Sequence, residues 1–494
     1  MEAAPSRGRL ARVAGLLLLT YAYFYQAGDW GTNVRFDLIR AIVEQRTLII
    51  DDYRDNTLDL TVAHGHYYLD KAPGPSLLAV PFVAVARAGL AVAGVPAASP
   101  RGIAIQSYVA VVAVASLPTV CGAIALLLAA LAMGASVRAS RLGALVYALG
   151  SPAFAYATLL WGHPLATAGL AVAFAAAIAA RRARPPRGAF WHGVLVGGAA
   201  GLATLAELTS APPAAAIAAL ALIHAWPERT QRRPIVLGIA AGALACGAVL
   251  AAYNTAAFGS PVAIGYGQNL SPQFGGMKHG LFGIGAPSAH VLWEILFGIE
   301  RGLLPLVPVF AAAPIGLGLL IRDRATRAAG IVCAGIVVYY LLMNAGYAYW
   351  DGGGSYGPRH IAPVCAFLAV GLPPLWDLAG RAVRALLATL MAYGIVAAFV
   401  VVATFAIPDD APLGPLPTAT SQFLDGKLAW NYYGYHYEPP NDVFPRRPEH
   451  LATLTRDSWN LGEAFGLRGL PSLLPLLGLW ALGVAAWHRQ RKLR

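Results

Sequence analysis

Twelve apolar stretches, each near the length that crosses a bilayer, dominate this sequence and leave few folds open to it. The first ends near Gln26. The others lie near 105–132, 142–160, 164–180, 190–207, 211–226, 234–254, 303–321, 328–347, 361–378, 385–406 and 469–487. A spanning helix takes roughly 20 residues, because in hydrocarbon each backbone polar group must be satisfied within the segment itself. Composition agrees. Of 494 residues 57% are hydrophobic and 12% charged, where a soluble domain carries about 25% charge. The expected fold is an all-α polytopic membrane protein, a bundle of about twelve transmembrane helices with outer loops and interfacial helices.

Charge orients such a bundle. Arg7, Arg9 and Arg12 precede the first run, and no small-residue cleavage site follows it, so it reads as a retained helix. The apolar run 75–95 decides every later loop. If it spans, the Arg clusters at 181–187, 229–233, 322–327 and 489–494 no longer share a side with the N-terminus. If it lies along the interface or re-enters, they do. Arg87 in its middle argues for the second case, since a central arginine costs at least ~2.5 kcal/mol to insert. One side then holds 21 Lys/Arg against 4 Asp/Glu, and the other 15 against 20. By the positive-inside rule both termini are cytoplasmic, in what composition suggests is a bacterial plasma membrane.

The expected organisation is therefore a first helix in 1–27, an outer loop in 28–104 and a bundle in 105–406. That bundle carries outer loops 255–302 and 348–360. A further outer loop at 407–468 precedes a last helix and basic tail in 469–494. The long polar connections all face outward, and such loops tend to carry function. The charge pattern belongs to membrane topology and gives no reason to expect nucleic acid. Cys121, Cys246, Cys333 and Cys365 all fall in apolar runs and suggest neither disulfides nor a metal site.

The polar residues concentrate in the first loop. Asp51 to Gly74 reads DDYRDNTLDLTVAHGHYYLDKAPG, with Asp29, Asn33, Arg35 and Asp37 upstream. The spacing from Arg35 to Glu44 predicts a short amphipathic helix on the membrane surface. Pro73 and Gly74 break the chain after Asp70-Lys71, which holds Lys71 near headgroup depth, where an ammonium can meet a phosphate. His64 and His66, with Asp51, Asp52 and Asp55, offer donor atoms for a divalent cation, although not in an EF-hand pattern.

Elsewhere, Trp350 to His360 reads WDGGGSYGPRH, a flexible aromatic turn whose Arg359 can grip a phosphate bidentately. The loop 255–302 adds glycines around 275–280. The aromatics Trp430, Tyr432, Tyr433, Tyr435, Tyr437 and Trp459 suit sugar faces or an interfacial belt equally. Trp161-Gly162-His163-Pro164 and Glu207 read as structural and stay outside the expected site.

These residues resemble those of the GT-C superfamily of membrane glycosyltransferases. The likeness is to the bacterial branch related to protein O-mannosyltransferases and the lipid A aminoarabinose transferase. It covers the whole topology and is strongest in Asp70-Lys71-Ala72-Pro73 and in the segments GHYYLDKAPG, YNTAAFGSP and WDGGGSYGPRH. In that family an acid of the first outer loop activates the acceptor, and basic residues hold a polyprenyl phosphate. Where the family places an Asp-Glu pair just after the first helix, this chain has Thr32-Asn33. The base is then expected at Asp51, with Asp29 second.

The resemblance implies inverting transfer of a hexosyl or pentosyl group from a polyprenyl-phosphate donor to a glycan, lipid or protein acceptor, among membrane lipids. Lys71, Arg359 and Arg35 would hold the donor phosphate. Asp70, Tyr67, Tyr68, His66, Asn33, Trp350 and Tyr356 would line the substrate. Two other classes share these features: a flippase for lipid-linked saccharides, and an inactive relative serving as an assembly partner.

Overall fold

The computed structural model describes residues 6–26, 29–182, 187–268, 275–277, 279–405, 414–428 and 458–492. All twelve expected segments fall on helical chain. Nine helices among the described residues are long and apolar enough to cross a membrane. Eight of them are Pro100–Ala132, Gly162–Ala179, Arg187–Ala206, Leu208–Ala225, Arg229–Phe258, Arg327–Ala345, Arg359–Leu378 and Arg381–Thr404. The ninth is α3, Gly74–Val92. Shorter helices supply the remaining expected segments, among them α1, Arg7–Ala22, and the apolar Pro308–Arg322 and Leu470–Gly483. The chain is an all-α polytopic membrane protein.

Close helix packing rests on glycine where apolar burial offers no drive, since lipid is as apolar as leucine. Gly193 and Gly197 of the Arg187–Ala206 helix meet the backbone of the Arg229–Phe258 helix at Ile235, Gly238 and Ile239. Any Cβ there would collide with the facing chain.

Helix α3 starts against the bundle. Gly74 abuts Leu205 and Ala206, where the Arg187–Ala206 helix ends. Arg87 donates to Glu44 of the first loop at 3.0 Å. The chain then turns into the Pro100–Ala132 helix. About two turns along it, Tyr108 donates to the Ala22 carbonyl, at the end of α1, at 2.6 Å. From Ala22 the chain runs through β1 (Phe24–Tyr25) to Asp29, which bonds Trp161 beside Gly162 and Glu207.

Helix α2, Trp30–Arg40, differs from its expectation. Residues 31–39 are all buried within the protein, so it presents no free amphipathic face. Val34, Phe36, Leu38 and Ile39 are each 0% exposed, which contributes roughly 1.5–3 kcal/mol per side chain. Asp29 caps it, accepting from the Thr32 amide at 3.0 Å.

The only sheets among the described residues are two small antiparallel pairs. Strand β1 pairs with β4, Trp459–Asn460, which sets Trp459 against Tyr25 and Tyr108. The other expected aromatics of that last loop lie outside the described residues. Strands β2 (Leu60–Ala63) and β3 (His66–Leu69) form a hairpin. His64 (φ 53°) and Gly65 (φ 80°) make its two-residue turn, the left-handed pair that matches strand twist. The hairpin docks through Thr61, whose hydroxyl donates to the Gly265 carbonyl, and through Tyr68 on Phe258.

Candidate active site

A cavity of about 310 Å³ opens where the first loop meets the bundle. Its polar wall comes from five places in the chain: Gly31 and Arg35 of α2, Asp70-Lys71, Trp161 and His163, Glu207, and Arg359-His360. The opposite wall is apolar and aromatic, with Ile264, Tyr266, Met277, Phe282, Met343 and Tyr347.

Asp29 stands behind Gly31. A Cβ on Gly31 would lie 3.0 Å from Asp29 Oδ1, 3.3 Å from Arg35 Nη1 and 3.6 Å from Lys71 Cε, so this glycine marks where the three side chains converge. Oδ1 is doubly fixed, by the Thr32 amide and by Trp161 Nε1–H at 2.9 Å. Oδ2 is buried and has no hydrogen-bond partner among the described residues. An unpaired carboxylate oxygen withdrawn from water costs free energy and signals a donor still to arrive.

The cations are held unequally. Lys71 Nζ contacts Asp59 at 2.8 Å and Asp70 at 3.1 Å. Burial pushes the Asp70 carboxyl up to about 6, against the opposing pull of the Lys71 ammonium. Burial works to lower Lys71 as well, but the Asp59 and Asp70 carboxylates prevail and raise it. Arg35 donates to the Gly31 carbonyl at 2.8 Å and reaches Glu207 at 3.6 Å. Arg359 has no carboxylate within ion-pair distance among the described residues. Its guanidinium lies 5.0 Å over the Trp161 ring, and its Nε has no partner there. His360 Nε2 beside it is also buried and unpartnered among the described residues. Three cations on one cavity, with an unsatisfied acid behind it, suit an anionic ligand.

Of the expected residues, Lys71, Arg35, Arg359 and Asp70 line this cavity, with Asp29 directly behind it. The others are elsewhere. Asp51, expected as the base, does not line it. Its Oδ2 pairs with His66 Nδ1 at 2.7 Å and its Oδ1 accepts from the Tyr67 amide at 2.7 Å, which ties the preceding chain to the hairpin. His66 is 47% exposed at the hairpin turn. Tyr67 faces the Arg54 guanidinium, and Tyr68 is buried in the hairpin's own core. Asn33 is buried within α2. Trp350 packs beside Val291, Ile295 and Ala345. Tyr356 is buried, with its carbonyl accepting from Tyr156.

The histidines proposed for a cation are split between the turn and Asp51, and no group of three potential ligands forms a metal site among the described residues. Conversely, Trp161, His163 and Glu207, set aside as structural, belong to the cavity wall, as do His360 and Tyr349. Asp59 supports Lys71 from behind. The available signal for Trp161 was a tryptophan and a histidine in a tight turn between two apolar runs.

No family model matches the chain, and no curated protein sequence does. Solved structures do. ArnT from Cupriavidus metallidurans bound to undecaprenyl phosphate aligns over 84% of this chain and 70% of its own, at 15% identity and TM-score 0.51. Its apo state gives the same TM-score and identity over 84% and 68%. The arabinofuranosyltransferase AftD from Mycobacteria aligns over 82% of this chain but 29% of its own, at 17% identity and TM-score 0.48. The bundle, the buried first loop and the two ArnT alignments show that this chain shares the fold of ArnT.

Proposed function

We propose that this protein is a membrane glycosyltransferase that moves a sugar from a polyprenyl-phosphate donor to an acceptor hydroxyl, with inversion. One observation carries the reading. Arg359, free of any carboxylate partner among the described residues, shares a cavity with Lys71 and Arg35, beside the unpaired Oδ2 of Asp29. The donor phosphate belongs at the cations, Arg359 foremost, since Lys71 and Arg35 already have carboxylates. ArnT, similar in fold, is described bound to undecaprenyl phosphate.

In the reaction, Asp29 Oδ2 takes the acceptor's hydroxyl proton as the oxygen attacks the anomeric carbon. The bond from that carbon to the phosphate oxygen breaks, and polyprenyl phosphate leaves with one more negative charge. Arg359 and Lys71 stabilise that charge as it develops. Trp161 and the Thr32 amide hold Asp29 by its other oxygen, so the base is fixed without being consumed. On this reading the cavity faces away from the cytoplasm of a bacterial inner membrane, with both termini inside, an orientation that the Lys/Arg asymmetry supports.

The test is transfer by the purified protein in lipid from a panel of polyprenyl-phosphate hexoses and pentoses. The reading expects release of polyprenyl phosphate and an inverted glycoside. Movement of intact lipid-linked sugar across vesicles, with no bond cleaved, would instead identify a carrier.

A further inference from the structure

Glu207 is the one carboxylate of the cavity wall that the reaction leaves unused and that has no lysine beside it. It sits between the Arg187–Ala206 and Leu208–Ala225 helices and is 15% exposed, toward the cavity it lines. Its carboxylate occupies the space a side chain on Gly162 would need, at the first residue of the Gly162–Ala179 helix. A helix N-terminus favours negative charge. His163 Nδ1 stands 3.4 Å from Oε1 and Arg35 Nη2 stands 3.6 Å from the same atom. Neither distance is that of a tight ion pair. The group is held in place without being used up.

Resting on the glycosyltransferase reading above, we propose that Glu207, oriented by His163, accepts a hydrogen bond from a ring hydroxyl of the donor sugar and sets donor specificity. A carboxylate accepts and does not donate, and it repels phosphate. Among the donor's parts it therefore suits only the sugar. The sugar is bonded directly to the phosphate, and Glu207 touches Arg35, one of the cations that would hold that phosphate. A hydroxyl next to the anomeric carbon lies within reach of both. Trp161 and Tyr266 on the same cavity supply flat faces for the ring's C–H groups. A site built to bond a hydroxyl discriminates strongly against the analogue that lacks it.

The experiment uses the full-length protein in lipid with polyprenyl-phosphate sugars lacking one ring hydroxyl at a time. The wild type is expected to lose about 10- to 100-fold in kcat/KM for one deoxy position, the value of a hydrogen bond to a charged group. Glu207→Leu, which has no acceptor, is expected to fall to that level with the complete donor and to show no preference between the two. It should bind sugar-free polyprenyl phosphate no more weakly than wild type, since an anion beside the cations has been removed. That binding also reports that the variant is folded. Should it fail to bind, Glu207→Asp, which keeps the charge on a shorter arm, carries the same comparison.

A preference that survives in Glu207→Leu would overturn the assignment. So would equal loss of transfer from every donor, which would place Glu207 in the bond-making step. Absence of transfer by the wild type from all donors would instead remove the glycosyltransferase reading beneath it.

Discussion

The first loop contains two acid–base clusters that look alike on paper and differ in place. Around the hairpin, Asp51 has both oxygens satisfied, by His66 and by the Tyr67 amide, and the pair is 35% and 47% exposed. Around the cavity, Asp29 is 7% exposed with one oxygen unpaired among the described residues, and Lys71 is 14% exposed between two carboxylates. A solvated, satisfied acid has nothing left to offer a substrate. A dry acid with an empty lone pair, aimed near cations, does. Electrostatic interactions strengthen as water is excluded, so the same residue types carry different weight at the two ends of one loop.

The largest contrast is expected in turnover. Asp29→Asn should lower kcat by about 10²- to 10⁴-fold, the usual contribution of a positioned base. Asp51→Asn should change it less than about fivefold, as for a surface pair. Equal effects in steady-state transfer assays would erase the distinction.

Stability should divide the two clusters next. Lys71→Met leaves Asp59 and Asp70 without their counter-charge, a loss of about 3–5 kcal/mol for a buried pair. Chemical denaturation in detergent would read it, and His66→Ala should cost at most about 1 kcal/mol. Donor affinity sharpens the comparison further. Arg359→Gln should weaken polyprenyl phosphate about 10- to 100-fold, whereas Arg54→Gln beside Tyr67 should leave it unchanged in a direct binding assay.

The smallest effect concerns pH. Burial raises the Asp70 carboxyl from 3.8 to about 6. An acid raised on folding holds its proton longer in the folded state than in the unfolded one. Stability from this group is therefore present at low pH and is lost as pH rises from 3.8 to about 6. Melting curves of wild type against Asp70→Asn should converge or cross over that window, the variant gaining relative stability upward. A constant difference would contradict the assigned environment.

The helices were readable because hydropathy is a local property: every expected apolar segment fell on helix. Arg87 weighed against a simple crossing by 75–95, because a charge at mid-helix has a depth cost whatever the fold, while the helix there, Gly74–Val92, is by length and composition able to cross. Lys71, Arg35 and Arg359, expected at the phosphate, and Asp70, expected at the substrate, all line the cavity; their types and the breakers around them made them readable as candidates. Asp51 lies away from the cavity because its partner is the hairpin. The positive-φ turn at His64-Gly65 brings β3 back against Ile50, whose amide donates to the Tyr67 carbonyl at 2.9 Å. Glu207 was passed over because it stands alone in its stretch, and Trp161 with His163 because a short turn between two apolar runs shows no charged partner. Trp161 gains meaning from Asp29, 132 residues earlier. Such a contact leaves no periodicity for a sequence to display.

The central claim is that the polyprenyl phosphate headgroup occupies the cavity between the first loop and the bundle. It is tested most directly with a polyprenyl phosphate bearing a photoreactive group beside its phosphate, irradiated on the membrane-embedded protein and located by peptide mass spectrometry. The account predicts adducts in peptides that contain Lys71, Trp161, Tyr347 or Arg359, and their loss in Arg359→Gln. Adducts confined to the hairpin residues Thr61 to Tyr67, or unchanged by that substitution, would contradict it.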